Sequence, residues 1–160
     1  MLSRRKREDP DVFGIVTFGF ILILLAGLIV TIPTLFPSII NFVFDMVWTQ
    51  VTPGIWWWAP ATPVAHVIVY NAMYLFFLGT IIINIIVLVL RVVFRDTYRR
   101  QIESIGGIIS SAGITWAAYA YSLNYLPVTA FATFCGWLIV FIGINVIVTS
   151  IGNWLISSYM

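Results

Sequence analysis

Long apolar runs alternate with short polar segments along this chain, and the apolar runs have the length of membrane-spanning helices. A helix that crosses a hydrocarbon core of ~30 Å needs about 20 apolar residues. Residues 13–34 and 63–94 form two such runs, and residues 105–123 and 128–156 form two more, the third being rich in small side chains. Residues 124–127 predict a tight outer turn between the last two runs. The pattern therefore predicts an all-α integral membrane protein with four transmembrane helices.

The basic residues predict the orientation of these spans. They lie in the N-terminal segment 1–12, at the end of the second span and in the loop 95–104. With four spans, all of them fall on one side of the membrane, and the positive-inside rule makes that side the cytoplasm. We therefore predict a plasma-membrane protein with both termini in the cytoplasm. The cytoplasmic basic collar consists of Arg4, Arg5, Lys6, Arg7, Arg91, Arg95, Arg99 and Arg100.

The basic collar has two interpretations besides setting the topology. Basic side chains next to a cytoplasmic membrane surface attract anionic lipid headgroups. The same charges fit the docking of a soluble partner, and the sequence does not separate the two.

An amphipathic segment occupies the first half of the outer loop, which we assign to residues 35–62. Within residues 38–52, five polar positions fall in a band of about 80° around an ideal helix. These positions are Ser38, Asn41, Asp45, Thr49 and Thr52. A narrow polar stripe on a short apolar helix is typical of a segment that lies in the membrane interface. We predict an interfacial helix over 38–52, lying either on the membrane or across the ends of the spans.

Tryptophans are concentrated in the second half of the outer loop. Trp56, Trp57 and Trp58 are consecutive, and Trp48 precedes them. An indole ring is apolar but carries an N–H that favours water, so tryptophan collects at the level of the lipid headgroups. We predict that these four residues are membrane-interface anchors. The alternative is an aromatic cage for a cationic headgroup, which would need Trp48 or a neighbouring chain to complete it.

One face of the second span carries most of its polar side chains. His66, Tyr70, Thr80 and Asn84 share this candidate polar face. Polar groups are costly in lipid and turn toward protein or water. We therefore expect this face to point inward, where it either joins helices by hydrogen bonds or lines a path for protons or a small solute.

Small residues repeat along one face of each of the last two spans. Small side chains let helix backbones approach closely, so we predict that these faces pack against each other, the alternative being a contact with a different protein. The helix-packing small face consists of Gly106, Ser110, Gly113, Ala117, Thr133, Gly136 and Gly143. A second strip on span four, formed by Asn145, Thr149 and Gly152, favours contact with a partner subunit.

Composition narrows the chemistry. The chain is 61% hydrophobic and 9% charged, whereas a soluble domain has roughly 25% charged residues. Cys135 is the single cysteine and His66 the single histidine, so we expect no disulfide and no multi-ligand metal site. No phosphate-binding glycine loop, HExxH or GxSxG motif is present. Asp45 and His66 are the one pair of groups that could meet at the outer surface.

These observations predict a non-catalytic small membrane protein without a cofactor. We expect an accessory or structural subunit of a membrane complex that acts through helix packing and lipid positioning. Its expected partners are the lipid bilayer and other membrane subunits or identical copies, with no nucleic acid. The alternative is a homo-oligomeric channel or carrier lined by the polar face of the second span. A third reading is an enzyme that acts on a lipid or quinone through Asp45 and His66.

Overall fold

A computed structural model describes residues 11–123 and 128–159. The described chain is mostly helical. Its elements are α1 (Val12–Thr31), α2 (Leu35–Phe44), β1 (Met46–Thr52), β2 (Ile55–Pro60), a 3-10 turn (Pro63–His66), α3 (Val67–Val93), α4 (Tyr98–Leu123) and α5 (Val128–Tyr159). The predicted turn at 124–127 and nearly all of the N-terminal segment 1–12 lie outside the described residues.

Three helices in the described residues are long and apolar enough to cross a membrane. They cover Val12–Thr31, Pro63–Val93 and Phe131–Ser158. This confirms the prediction of a mostly helical protein with helices able to span a membrane, and the count of four spans stays a prediction. α4 has 26 residues, but it is less apolar because charged residues occupy its first turns and serines follow them.

The long helices pack in the order α1, α3, α4, α5. α3 contacts both α1 and α4, and α4 contacts α5. Many large apolar side chains remain exposed on the outer faces of this arrangement, including Ile23, Val30 and Ile139. Burial within the chain therefore accounts for only part of the apolar surface, and the exposed remainder is suited to contact with lipid or other membrane helices.

The predicted interfacial helix over 38–52 is wrong beyond Phe44. α2 ends there, and residues 46–52 form a strand that pairs antiparallel with β2. The segment MVWTQVT contains β-branched and aromatic side chains that favour a strand, and the tryptophan-rich segment after it supplies the partner. The helical spacing of its polar residues did not reveal that partner.

A two-residue turn joins the strands of this hairpin. Pro53 precedes Gly54, and Gly54 has φ +83°. A proline followed by a residue with positive φ is typical of a type II turn, which favours glycine at its second central position. The hairpin packs on α5, and Ala59 of β2 joins a buried cluster with residues such as Tyr121 and Phe134. The hairpin therefore covers one end of the helices.

The connection between α3 and α4 is a tight helix-ending motif. The N–H of Arg95 donates to the carbonyl of Val92 at 3.1 Å, and the N–H of Asp96 donates to the carbonyl of Arg91 at 2.8 Å. This pair of bonds is the Schellman pattern, whose central residue adopts a left-handed conformation and is usually glycine. Here that residue is Arg95, with φ +54°.

Candidate functional site

The carboxylate of Asp45 holds together the base of the hairpin. Its Oδ2 atom accepts hydrogen bonds from the N–H of Thr62 at 2.8 Å and from the Thr62 hydroxyl at 2.9 Å. The same oxygen lies 2.8 Å from Nε2 of His66, which is buried. An ionised carboxylate only accepts, so Nε2 carries the proton in this bond. The two residues that the sequence suggested could meet are therefore in contact.

The local sequence explains why these groups converge. Asp45 follows α2 directly, and its carbonyl accepts from the N–H of Ala61 at 2.9 Å, which closes the loop. Thr62 then begins the 3-10 turn with Pro63 in its first turn, a position where proline is favoured. That turn ends at His66 and leads into α3, so a single carboxylate connects the hairpin to the start of a long helix.

The electrostatics of Asp45 favour a structural role over a catalytic one. The backbone N–H of Thr62 and the side chain of His66 hold the pKa of Asp45 below its ordinary value of 3.8, because both stabilise the ionised form. A carboxylate with a lowered pKa is a weak general base at neutral pH. Within the described residues, no group of three or more His, Cys, Asp or Glu side chains is placed to hold a metal ion.

Aromatic rings surround the pair formed by Asp45 and His66. The ring of Phe42 meets the ring of His66 edge-on at 5.2 Å and that of Tyr70 at 5.9 Å between centroids. Tyr70 in turn contacts Tyr121 of α4 at 4.6 Å. The pair therefore lies against an aromatic layer that joins α2, α3 and α4.

The hairpin separates the four tryptophans onto two faces. Trp48 pairs with Trp58 and Gln50 with Trp56 across the strands, so Trp48, Trp56 and Trp58 share one face because side chains alternate along a strand. Trp57 lies on the opposite face with Ala59. All four tryptophans are exposed.

The cage interpretation gains no support from the closest tryptophan pair. The rings of Trp48 and Trp58 meet edge to face, with centroids 6.2 Å apart. Rings in direct contact leave no slot for a cation between them. An exposed tryptophan face at a helix end still suits a membrane-interface anchor, and that role stays a prediction.

The polar face of α3 is packed within the chain. His66, Tyr70 and Thr80 are buried. Asn84 lies over Gly107 of α4, where an added Cβ would be 3.5 Å from its Oδ1 atom. The face therefore points inward, as its polarity predicts, and protein occupies the space beside it.

The small residues of α4 pack against α5. Gly113 accommodates the ring of Phe141, and Gly106 accommodates Asn145. The side-chain amide of Asn145 donates to the hydroxyl of Ser110 at 3.4 Å. Ala117 is also buried. The four small residues assigned to span three therefore lie on or beside the contact surface of α4.

The edge of α5 that meets α4 differs from the predicted one. Asn145, Thr149 and Gly152 face α4, with Gly152 against Ile102. Thr133, Gly136 and Gly143 are exposed instead, and no atom lies within 4 Å of a Cβ added at either glycine. The expected pairing of the two small faces is thus wrong for α5, because the bond from Asn145 and the ring of Phe141 set the rotation of that helix. We call Thr133, Gly136 and Gly143 the open strip.

A charge cluster lies at the opposite end of α3 from His66. Arg91 is only 5% exposed. Its Nη2 atom is 2.9 Å from Oδ2 of Asp11, its Nε atom is 3.8 Å from Oδ2 of Asp96, and its Nη1 atom donates to the carbonyl of Arg100. Asp96 also pairs with Arg100 at 3.3 Å. Arg91 and Arg100 therefore join a partly buried network, centred on Arg91, that links α1 to the α3–α4 turn.

Sequence reasoning missed this network. It placed Arg91 and Arg100 in the basic collar and did not pair them with Asp11. The available signal was that an acidic residue precedes the first span and basic residues end the second span, two positions that fall on the same side of the predicted membrane. Arg95 and Arg99 remain exposed, and Arg99 pairs with Glu103 at 3.4 Å. The four basic residues at 4–7 lie outside the described residues.

The described sites thus contain polar ties, packing surfaces and exposed aromatic rings. Asp45 links the hairpin to the start of α3, Arg91 links α3 to α1, and the open strip of α5 is exposed. None of these arrangements combines a nucleophile with a base and an oxyanion donor in the described residues. Comparison with protein-family models, with curated proteins and with solved structures finds no match for this chain.

Proposed function

We propose that this protein is a non-catalytic integral membrane subunit that associates with other membrane helices through the open strip of α5. The observation that carries the proposal is the exposure of Gly136 and Gly143, seven residues apart and free of any neighbouring atom. In lipid, helices associate chiefly by close packing at small residues and by hydrogen bonds. The matching small residues of α4 already use this mode inside the chain, and the open strip offers it outward.

The proposed topology has four spans, with both termini in the cytoplasm. A helix of 26 residues is about 39 Å long, which exceeds the ~30 Å hydrocarbon core. α4 contacts α3 near both of its ends, through Tyr121 on Tyr70 and through the carbonyl of Arg100, which accepts from Arg91, and also between them, through Gly107 under Asn84. A helix packed along a spanning helix in this way shares its depth, which supports α4 as the fourth span.

The orientation can be tested by labelling single cysteines in a Cys135→Ser background. A membrane-impermeant maleimide should label Trp56→Cys in intact cells and should label Arg95→Cys only after the cells are opened. The reverse pattern would contradict the proposed orientation, and labelling of neither position in intact cells would contradict the plasma-membrane assignment.

The channel alternative is less well supported. It requires the polar face of α3 to border an aqueous path, whereas His66, Tyr70 and Thr80 are buried within the chain. Asn84 lies over α4. A path would have to open between α3 and α4 along this face, which is packed in the described residues.

The subunit proposal is tested by the native mass of the complex extracted in mild detergent, with every component identified. A stoichiometric assembly with other proteins would support an accessory subunit, and a defined oligomer of this chain would support association of identical copies. Gly143→Leu and Gly136→Leu should each release the chain from its assembly, because the added side chain fills the space a partner helix would occupy.

Gly19→Leu is the matched control for these variants. A Cβ at Gly19 of α1 also has no atom within 4 Å, so the substitution adds the same bulk to a different open helix face. Retention of the assembly in Gly19→Leu and its loss in Gly143→Leu would assign the contact to α5. Recovery of a monomeric chain, or equal effects of all three substitutions, would contradict the proposal.

A further inference from the structure

Within the described residues, the turn between α3 and α4 presents one arginine without a carboxylate partner. Arg91 and Arg100 are held in the charge cluster, and Arg99 pairs with Glu103. Among the arginines that the structure describes, Arg95 alone makes no ion pair, and its side chain is exposed.

The backbone at Arg95 is unusual for a residue with a side chain. Its φ of +54° is left-handed, and the contact between Cβ and the backbone makes this region unfavourable for residues other than glycine. Glycine is the common residue at this position of the Schellman pattern. Strained backbone conformations of this kind cluster at functional sites, and here the strained residue has an exposed, charged side chain.

Exposed aromatic side chains flank Arg95 in the sequence. Phe94 is 67% exposed and Tyr98 is 69% exposed, and Phe94 contacts Phe13 of α1 at 6.0 Å between ring centroids. The turn directly follows a helix that is apolar enough to cross a membrane. Aromatic rings flanking a basic residue at the end of such a helix fit the headgroup level of a bilayer.

We propose that Arg95 binds the phosphate group of an anionic phospholipid at the inner leaflet. A guanidinium presents a planar set of donors that matches two phosphate oxygens at once, while the exposed rings of Phe94 and Tyr98 contact the adjoining glycerol and acyl region. The inference rests on the proposed topology only for the statement that the lipid belongs to the inner leaflet. Among the described residues of the basic collar, the proposal assigns lipid binding to Arg95, because the other described arginines have carboxylate partners.

The test is native mass spectrometry of the full-length protein in a mild detergent, titrated with phosphatidylglycerol or with phosphatidylcholine of the same acyl chains. The wild-type protein should bind phosphatidylglycerol more tightly. Arg95→Gln should weaken phosphatidylglycerol binding about fivefold, the ratio expected for one basic residue near an anionic surface. Phosphatidylcholine carries the same phosphate, but its choline cation offsets the charge, so its binding should weaken much less.

Two further variants separate lipid binding from folding and from net charge. Arg95→Gly removes the side chain and relieves the backbone strain, so it should melt no lower than the wild-type protein and still lose the lipid preference. The double variant Arg99→Gln/Glu103→Gln removes a neighbouring pair without changing the net charge, and it should bind both lipids as the wild-type protein does.

Three results would overturn the proposal. They are equal affinity of the wild-type protein for the two lipids, an unchanged preference in Arg95→Gln, and an equal loss in the double variant. Competition by soluble glycerol phosphate would indicate a site for free phosphate instead of a lipid. Because the assay uses purified protein and does not depend on sidedness, an error in the proposed topology would leave its result unchanged.

Discussion

Replacing Arg91 by glutamine tests whether the buried charge cluster stabilises the fold. Removing one partner of a buried ion pair costs about 3–5 kcal/mol when the remaining charge is left without compensation. Here both carboxylates keep other donors. Asp96 retains Arg100 at 3.3 Å and the N–H of Thr97 at 2.8 Å, and Asp11 retains the N–H of Gly14 at 2.9 Å. We therefore expect Arg91→Gln to lower the free energy of unfolding by about 2–3 kcal/mol, at or just below the lower end of that range.

The measurement is unfolding in a fixed detergent, induced by heat or by SDS and followed by far-ultraviolet circular dichroism. Arg99→Gln is the matched control, because it removes the same guanidinium group at a position where the side chain is 72% exposed. An exposed pair of this kind contributes less than about 1 kcal/mol. In a double-mutant cycle, Arg91→Gln and Asp11→Asn should be less than additive, since they share one contact. Equal stability of Arg91→Gln and Arg99→Gln would refute the reasoning.

Two further predictions concern the hairpin base and the α4–α5 contact. Asp45→Asn should speed amide exchange in the hairpin at neutral pH and lower its local stability by about 1 kcal/mol, because a charged acceptor is lost. Folding lowers the pKa of Asp45 below 3.8, so the stabilisation by its carboxylate is complete above pH 3.8 and declines as the pH falls through the lowered pKa. Exchange in the wild-type protein should therefore approach that of Asp45→Asn in acid. A difference between the two proteins that stays the same in acid would contradict this pH dependence. Gly113→Ala should destabilise the protein by about 1–3 kcal/mol because its Cβ overlaps the ring of Phe141, whereas Gly143→Ala should be neutral in the isolated chain. Equal melting of the two alanine variants would argue against the observed packing.

The apolar runs were enough to predict the long helices, because their length and hydropathy act within one segment. The hairpin was not predictable in the same way. Residues 46–52 carry polar positions at a helical spacing, and only pairing with residues 55–60 makes a strand the better solution. Strand pairing depends on residues 55–60, and the spacing of polar residues within 46–52 contains no information about them.

The small residues show a similar limit. Both edges of α5 carry small and polar side chains, so composition leaves the rotation of the helix open. The hydrogen bond from Asn145 to Ser110 and the ring of Phe141 over Gly113 select one edge. The sequence therefore predicted that α4 and α5 pack closely, but the choice of edge came from particular contacts between the two helices.

The polar ties at the two ends of α3 explain how a largely apolar protein fixes the position of its central helix. His66 and Arg91 are 25 positions apart, which corresponds to about 38 Å along a helix, more than the ~30 Å hydrocarbon core. Each tie joins α3 to a segment that precedes it, Asp45 at one end and Asp11 at the other. Apolar contacts in lipid distinguish poorly between neighbouring helix registers, because acyl chains are as apolar as the side chains they replace. A directional ion pair or hydrogen bond at each end restricts sliding and rotation of α3, while the apolar surface between them stays available to lipid and to partner helices.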